Sequence, residues 1–265
     1  MSQQNIAYNL IEKLGDASLG MTRSLGKLTI YTGQVLYWAF QKPFRLRLLI
    51  DQLEFVGNKS IFIVFLTASF TGMVMAYQTF LGFGNLDADS FVGPIVAISL
   101  AKELGPVFTG LIIAGRCGAA MAAQIGTMKV TEQVDALEVM GIEPKQYLAA
   151  PRVLATIMAM PMLAIIFLLV GMTGSWLVGT KVLMIDETVY TAKISEFMKF
   201  KHIWEGLIKA SLFGFFISII GTYQGFQAKG GAEGVGKGTN LAVVWGMVIV
   251  LIFDFFATSV LTQIL

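Results

Sequence analysis

The stretch from Gly231 to Thr239, GAEGVGKGT, nearly matches G-x-x-x-x-G-K-[ST], the glycine-rich pattern that binds nucleotide phosphates. Gly236 and Lys237 are correctly spaced, but Gly238 stands where the magnesium-binding hydroxyl belongs, and Thr239 comes one residue too late. The pattern also needs a buried strand before it, and an apolar membrane-type segment precedes it here. The sequence therefore argues against ATP hydrolysis by this chain. We expect the glycines to form a tight loop with positive φ angles.

Two charged residues, Lys102 and Glu103, lie inside an apolar segment just before Gly105 and Pro106. Because Pro106 cannot donate a hydrogen bond to the Lys102 carbonyl, we predict a kink at this point. A charge at membrane depth costs about 2.5–3.5 kcal/mol on insertion scales and usually faces a cavity or a partner. The sequence leaves two alternatives open: Glu103 lines a functional cavity, or both side chains lie near the outer interface and extend to water.

Two further charges, Arg116 and Asp254, are also surrounded by apolar residues. Arg116 is expected to pair with a carboxylate inside the bundle or to act only as a structural tie, and Asp254 is one carboxylate that it could reach. Small residues recur at every fourth position around Arg116. This spacing favours close packing against another helix in lipid, which belongs either to the same chain or to a second copy. These residues are Gly110, Ala114, Gly118, Ala122 and Gly126.

The segment GTMKVTEQVDALEVMGIEP, residues 126–144, predicts a short amphipathic helix. Thr131 is its expected N-cap, Gly141 its expected stop, and Pro144 follows. An acidic stripe runs along one face, where membrane-surface helices usually carry basic residues. A connector lying on the membrane is the alternative, but we favour a helix that docks on a basic protein partner. Its candidate docking residues are Thr131, Glu132, Asp135, Leu137, Glu138 and Met140.

The composition indicates an integral membrane protein. The chain has 265 residues, of which 55% are hydrophobic and only 14% charged, against about 25% charged in soluble domains. The net charge of +2 is too small to indicate nucleic-acid binding. Cys117 and His202 are the only cysteine and histidine, so a zinc cluster or disulfide framework is excluded, and both are expected to be packing or surface residues. The N-terminus shows no signal-peptide pattern.

Five segments are long and apolar enough to be transmembrane helices, and the second is expected to be kinked or broken. Residues 1–59 are expected to form a separate N-terminal region. Its part from Leu25 to Asn58 mixes aromatic, apolar and basic residues, which favours a helix lying in the membrane interface over a soluble helical hairpin. The predicted spans are Ile61 to Thr79, Phe91 to Thr127, Val153 to Thr180, Ala210 to Phe226 and Leu241 to Leu265.

The distribution of lysine and arginine between loops predicts the orientation. Twelve of these residues fall on the side of the N-terminus and four on the other, so we expect a cytoplasmic N-terminus and a periplasmic C-terminus. The first loop, from Gly82 to Ser90, has no basic residue and carries Asp87 and Asp89. The four residues that oppose this orientation lie in the third loop: Lys181, Lys193, Lys199 and Lys201.

The segment KELGPVFTGLIIAGRCGAAMAAQIGTMKVTEQVDALEVMGIEPKQYLAAPR, residues 102–152, resembles the signature region of the MlaE (YrbE) permease family. GGAEGVGKGTNLAVV and DFFAT resemble later parts of the same family, and the resemblance extends from about Pro43 to the C-terminus. It implies an all-α permease subunit of an ABC transporter in the bacterial inner membrane. The implied cargo is phospholipid, moved between the inner membrane and the outer membrane or envelope.

The resemblance also implies partners. They are a second copy of this chain, two cytoplasmic ATPase subunits that bind ATP and magnesium, a periplasmic MCE-domain protein and, in some systems, a small cytoplasmic STAS-type subunit. This chain itself would bind no cofactor or metal. The family's lipid-cavity glutamate corresponds to Glu103, and Lys102 and Tyr77 are grouped with it as cavity candidates. Family members often carry arginine where this chain has Lys102, which loses bidentate phosphate binding.

Two other functions are compatible with some of these residues. A secondary transporter could use Glu103 or Asp254 as a proton relay, and it would need a proton gradient but no ATPase. A scaffold that only anchors envelope proteins would tolerate Glu103→Ala. The acidic docking helix and the family resemblance favour the ABC permease, whose ATPases would deliver force through residues 131–140.

Overall fold

A computed structural model describes residues 3–83 and 89–264 of the chain. The chain divides into two compact units, Met1–Phe44 and Arg45–Leu265. The first unit consists of one long helix, α1 (Gln3–Ala39), whose sequence contains no proline. The second unit begins with α2 (Leu46–Val56), which packs on α8 (Ala150–Leu177). The predicted division after residue 59 stays a prediction.

The second unit is helical throughout the part that the structure describes. Its remaining helices are α3 (Ile61–Phe83), α4 (Val92–Ser99), α5 (Gly105–Ile113), α6 (Ala119–Val130), α7 (Gln133–Val139), α9 (Glu187–Phe197), α10 (Phe200–Phe226) and α11 (Gly231–Ile264). Short 3₁₀ turns precede α3 and α4. Four π-turns join or extend these helices: Leu100–Leu104, Ala114–Gly118, Lys145–Ala149 and Val178–Val182.

Among the described residues, five helical segments are long and apolar enough to cross a membrane, which confirms the predicted number of spans. They are Leu46–Phe83, Asp89–Val130, Lys145–Val182, Phe200–Phe226 and Gly231–Leu261. The predicted break in the second span is present as two π-turns that separate α4, α5 and α6. Asp87 of the first loop and Leu265 of the last predicted span lie outside the described residues.

Close helix contacts hold the spans together, because lipid offers no hydrophobic drive for helices to associate. α8 packs on α3 and on α10, and α10 also packs on α6 and α11. A Cβ atom on Gly72 would lie only 1.9 Å from the Gly171 carbonyl oxygen, so α3 and α8 touch backbone to backbone. The fully buried side chains of Phe167, Phe213 and Leu163 fill the centre of the bundle.

Residues 231–239 do not form the expected loop. They are the first turns of α11, and the connection from α10 is only the four residues from Gln227 to Gly230. The positive φ angles are confined to Gly230 and Gly231, at 81° and 76°. Helix continuity explains the difference, because the apolar periodicity of α11 extends back beyond Leu241.

α9 lies between the third and fourth spans, and Tyr190 fixes it to the bundle. The Tyr190 ring fills a slot beside Gly93 and Gly179, where Cβ atoms would lie 3.1 and 2.7 Å from it. Its hydroxyl lies 2.6 Å from Ser175 Oγ, and burial raises the pKa of the phenol. The end of α3, the start of α4 and the end of α11 are at the same end of the bundle as α9, because the five spans alternate in direction. We call this end the α9 end and the opposite one the α7 end.

Candidate functional site

A cluster of polar side chains from three segments lies inside the bundle. Lys209 of α10 donates hydrogen bonds to Glu103 Oε2 at 2.6 Å, to Asp254 Oδ1 at 3.3 Å and to Thr258 Oγ1 at 2.6 Å. Glu103 belongs to the π-turn before α5, and Asp254 and Thr258 belong to α11. The Lys209 side chain is completely buried, whereas Glu103 and Asp254 stay partly accessible. One ammonium group is therefore the shared counter-ion of two carboxylates, which leaves one negative charge in excess.

A second ion pair lies next to this cluster. Lys102 Nζ is 3.1 Å from Glu205 Oε2, and Glu205 is buried. Lys102 precedes Glu103 in the chain, and Glu205 lies one helical turn before Lys209 on α10. Two ion pairs thus join the same π-turn to the same helix. We call these four residues and Asp254 the charge cluster.

The π-turn at Leu100–Leu104 follows from Gly105 and Pro106. Pro106 has no N–H group for the regular helical hydrogen bond, and the Gly105 N–H bonds to the Leu100 carbonyl five residues back. A Cβ atom on Gly105 would lie 2.5 Å from that carbonyl oxygen, so only glycine fits without rearrangement. This turn presents Lys102 and Glu103 to α10.

Gly206 lets α10 approach the π-turn closely enough for the ion pairs to form. A Cβ atom there would lie 2.0 Å from the Ala101 carbonyl oxygen. We expect Gly206→Ala to separate the two segments and to destabilise the protein by about 1–3 kcal/mol, as overpacking does. Thermal unfolding in detergent measures the effect.

The matched control is Gly236→Ala in α11, where a Cβ atom would meet nothing within 4 Å. That change is expected to be neutral or to stabilise the helix by about 0.5–1 kcal/mol. Equal unfolding temperatures for the two variants would contradict the close approach.

The charge cluster lies deep in the membrane region. Lys209 comes nine residues after the start of α10, and Asp254 comes ten residues before the end of α11. At 1.5 Å per residue, both are about 14–15 Å from the α9 end of their helices. The charge cluster therefore lies inside the fourth and fifth spans, more than two helical turns from their ends.

At the α7 end, the predicted acidic helix exists but is shorter than expected. α7 spans Gln133–Val139, and Thr131 is not its N-cap, because Thr131 ends α6 and its hydroxyl bonds back to the Thr127 carbonyl. Glu132 makes the turn between the helices with a left-handed φ of 62°. Gly141 stops the helix as predicted: its φ is 73°, and the Ile142 N–H bonds to the Leu137 carbonyl at 2.9 Å.

The acidic stripe of α7 is smaller than the sequence indicated, since Asp135 is paired with Lys129 at 2.5 Å. The side chains of Glu132 and Glu138 are exposed and form no hydrogen bond or ion pair with any described residue. Val139 and Met140 beside them are 89% and 65% exposed, while Val134 and Leu137 face the α6–α8 junction. The outer face of α7 therefore offers two unpaired carboxylates and two apolar side chains. We call these four residues the α7 surface.

Comparisons with known proteins identify the family of this chain. The model of the family "Permease MlaE" matches residues 49–260. The probable ABC transporter permease protein RT0041 of Rickettsia typhi is 38% identical over 256 residues, which cover 97% of this chain and 99% of that protein. The intermembrane phospholipid transport system permease protein MlaE of Haemophilus influenzae is 33% identical over 258 residues, with coverages of 96% and 97%. The chloroplastic protein TRIGALACTOSYLDIACYLGLYCEROL 1 of Arabidopsis thaliana is 36% identical over 234 residues, with coverages of 88% and 67%.

The chain belongs to the MlaE permease family. It is thus the permease of an ABC transporter, a multi-pass membrane component that is not itself an enzyme. The family resemblance of residues 102–152 is confirmed. These residues include Lys102 and Glu103 of the charge cluster and the whole of α7.

In this MlaE-family permease, the hypothetical pairing of Arg116 with Asp254 is wrong. Arg116 lies 13 residues beyond Glu103 along the second span, which places it about 20 Å closer to the α7 end. Its Nη1 atom donates to the Phe55 carbonyl at 3.1 Å and to Ser60 Oγ at 2.7 Å, and the guanidinium lies over the Phe55 ring. Arg116 is a structural tie between the second span and the α2–α3 junction, and buried Cys117 packs beside it.

The small residues of the second span pack within the same chain. The closest neighbours lie on α10 and α11, where Gly246 meets Ala114, Gly221 meets Gly118, and Gly225 meets Ala122. Gly110 and Gly126 face Val250 and Val235 of α11. Of the two predicted alternatives, these five small residues therefore follow the first and pack against helices of the same chain.

Tyr77 and His202 do not join the charge cluster. Tyr77 lies on α3, and nearly half of its surface is exposed. His202 stands in the first turn of α10, where its Nδ1 accepts a hydrogen bond from the Lys199 N–H. Tyr77 thus stays a lipid-cavity candidate only through the family resemblance.

Sequence reasoning missed Lys209, Glu205 and Thr258, which complete the site. The predicted fourth span began at Ala210, one residue after Lys209, because a hydropathy window avoids charges. α10 begins at Phe200 instead, so both charges are inside the span. The signal that could have found them is their spacing: Glu205 and Lys209 are four residues apart and repeat, in reversed order, the charges of Lys102 and Glu103.

Proposed function

We propose that this permease moves phospholipids between the inner membrane and the outer membrane or envelope, driven by ATP hydrolysis on separate ATPase subunits. The observation that carries the proposal is the charge cluster inside an apolar bundle. Acyl chains need apolar walls, and a head group needs a few fixed polar groups, which this arrangement would supply. The Haemophilus influenzae relative is named for intermembrane phospholipid transport, which supports the same cargo.

The accessibility of the carboxylates supports a homodimer. The side chains of Glu103 and Asp254 are 35% and 23% exposed in the single chain. Carboxylates at membrane depth do not face acyl chains, because the transfer costs several kcal/mol, and they face a cavity or a partner instead. If two copies enclose a shared lipid cavity at this face, Glu103 and Asp254 face the cavity and not the acyl chains.

The α7 surface is the proposed docking site for the ATPase. Its two unpaired carboxylates and two exposed apolar side chains suit a groove with basic edges. ATP and magnesium would bind only on that partner. A periplasmic MCE-domain protein would receive or deliver the lipid at the α9 end, and a small STAS-type subunit would bind on the cytoplasmic side. This assignment places the N-terminus in the cytoplasm and the C-terminus in the periplasm.

The test begins with purification of the chain from its native bacterial membranes in mild detergent and identification of what accompanies it by mass spectrometry. We expect stoichiometric ATPase and MCE-domain proteins. The complex, reconstituted in vesicles, should transfer fluorescent phospholipid only with hydrolysable ATP. Transfer that requires a proton gradient and no ATPase would instead establish the secondary transporter, and a complex without any lipid transfer would establish the scaffold.

A further inference from the structure

We propose that the charge cluster selects phospholipids whose head group carries an ammonium, such as ethanolamine lipids, over lipids with a net negative head group. The inference rests on the proposed lipid-transport function and concerns the same site. It rests on three observations. They are the formal charge of the cluster, the exposure of its charged groups, and the hydrogen bonds that Lys209 donates.

The cluster carries an excess of negative charge. Glu103, Glu205 and Asp254 contribute three carboxylates, and Lys102 and Lys209 contribute two ammonium groups. The formal charge is therefore −1. A head group with a net negative charge would be repelled in this low-dielectric environment, whereas an ammonium group would neutralise the excess.

The accessible charged groups of the cluster are two carboxylates and one paired ammonium. The side chains of Glu103 and Asp254 are 35% and 23% exposed, and that of Lys102, 21% exposed, is already paired with Glu205. Lys209 is fully buried, and Glu103, Asp254 and Thr258 accept its three N–H donors, so this ammonium has no donor left for a lipid phosphate. A head group that reaches the cluster would therefore meet more negative than positive charge.

Glu205 determines the formal charge of the cluster, because its carboxylate offsets the charge of Lys102. Without Glu205 the cluster would be neutral, and Lys102 would attract a lipid phosphate. The second oxygen of Glu205, Oε1, is buried and accepts no hydrogen bond from any described residue. Burying an acceptor in this way is costly, so the carboxylate is not explained by stability. Glu205 is therefore the proposed specificity-determining residue, acting through Lys102 rather than on the lipid directly.

The experiment uses the purified full transporter complex, exchanged against vesicles with equal amounts of phosphatidylethanolamine and phosphatidylglycerol. Mass spectrometry measures the ratio of the two lipids that remain bound. We expect about five-fold enrichment of phosphatidylethanolamine, the ratio that one partly exposed ion pair provides. Glu205→Gln or Asp254→Asn removes the excess charge and should bring the ratio close to that of the vesicles.

A charge change outside the cluster serves as the control. Glu187→Gln makes the same charge change on exposed α9 and should have no effect. Lipid bound in the vesicle ratio by the unaltered complex would overturn the selectivity alone, whereas a complex that binds no lipid would overturn the proposed transport function.

Discussion

Lys209→Met is expected to abolish lipid transport and to destabilise the bundle. The substitution leaves Glu103 and Asp254 on either side of an apolar side chain, so two carboxylates lose their shared counter-ion. Breaking a buried ion pair by removing one partner costs about 3–5 kcal/mol, and we expect the lower end because both carboxylates are partly exposed. Thermal unfolding in detergent and ATP-driven lipid transfer in vesicles measure the two effects.

Two further variants separate the loss of lipid transport from the loss of stability. Lys201→Met removes an exposed lysine from the same helix and should alter neither measurement. The triple variant K209M/E103Q/D254N contains no unpaired charge, so it should recover most of the stability, as replaced buried ion pairs often do. It should still fail to transport lipid. Normal transport by the triple variant would show that the cluster serves only the fold.

Reversing the two unpaired charges of the α7 surface, with Glu132→Lys and Glu138→Lys together, is expected to reduce ATPase binding and lipid transport by at least about ten-fold. Like charges then face the proposed basic groove, and this costs several kcal/mol at a complementary interface. Folding should be unchanged, because neither side chain bonds to any described residue and both are exposed. Co-purification of the ATPase and lipid transfer are the measurements.

Three comparisons make this prediction specific. Glu132→Gly removes the carboxylate but suits the left-handed φ of 62°, so it tests the charge without disturbing the turn. Glu187→Lys and Glu196→Lys reverse charges on α9 at the other end and should leave ATPase binding intact. Lysine-to-glutamate changes in the ATPase groove should restore binding to the reversed variant. A reversed variant that retains its full complement of ATPase would refute the docking role of α7.

Much of the local structure could be predicted because it depends on neighbouring residues. The five spans follow from long apolar runs, the irregular turn follows from Gly105 and Pro106, and the end of α7 follows from Gly141. Errors occurred where local patterns were ambiguous. The glycines of residues 231–239 indicated a loop but begin a helix, and Thr131 was placed at the start of α7 although it ends α6.

The partners of the charged residues could not be predicted, because they depend on the depth and rotation of whole helices. Glu103 and Lys209 are 106 residues apart, and each π-turn in the second span changes the direction in which later side chains point. Close contacts such as that of Gly206 with Ala101 then fix which faces meet. The sequence alone determined a five-span MlaE-type permease with an acidic helix. Only the tertiary structure decided that Lys209 joins Glu103 to Asp254 and that Arg116 binds elsewhere, because these pairings arise from packing between distant segments.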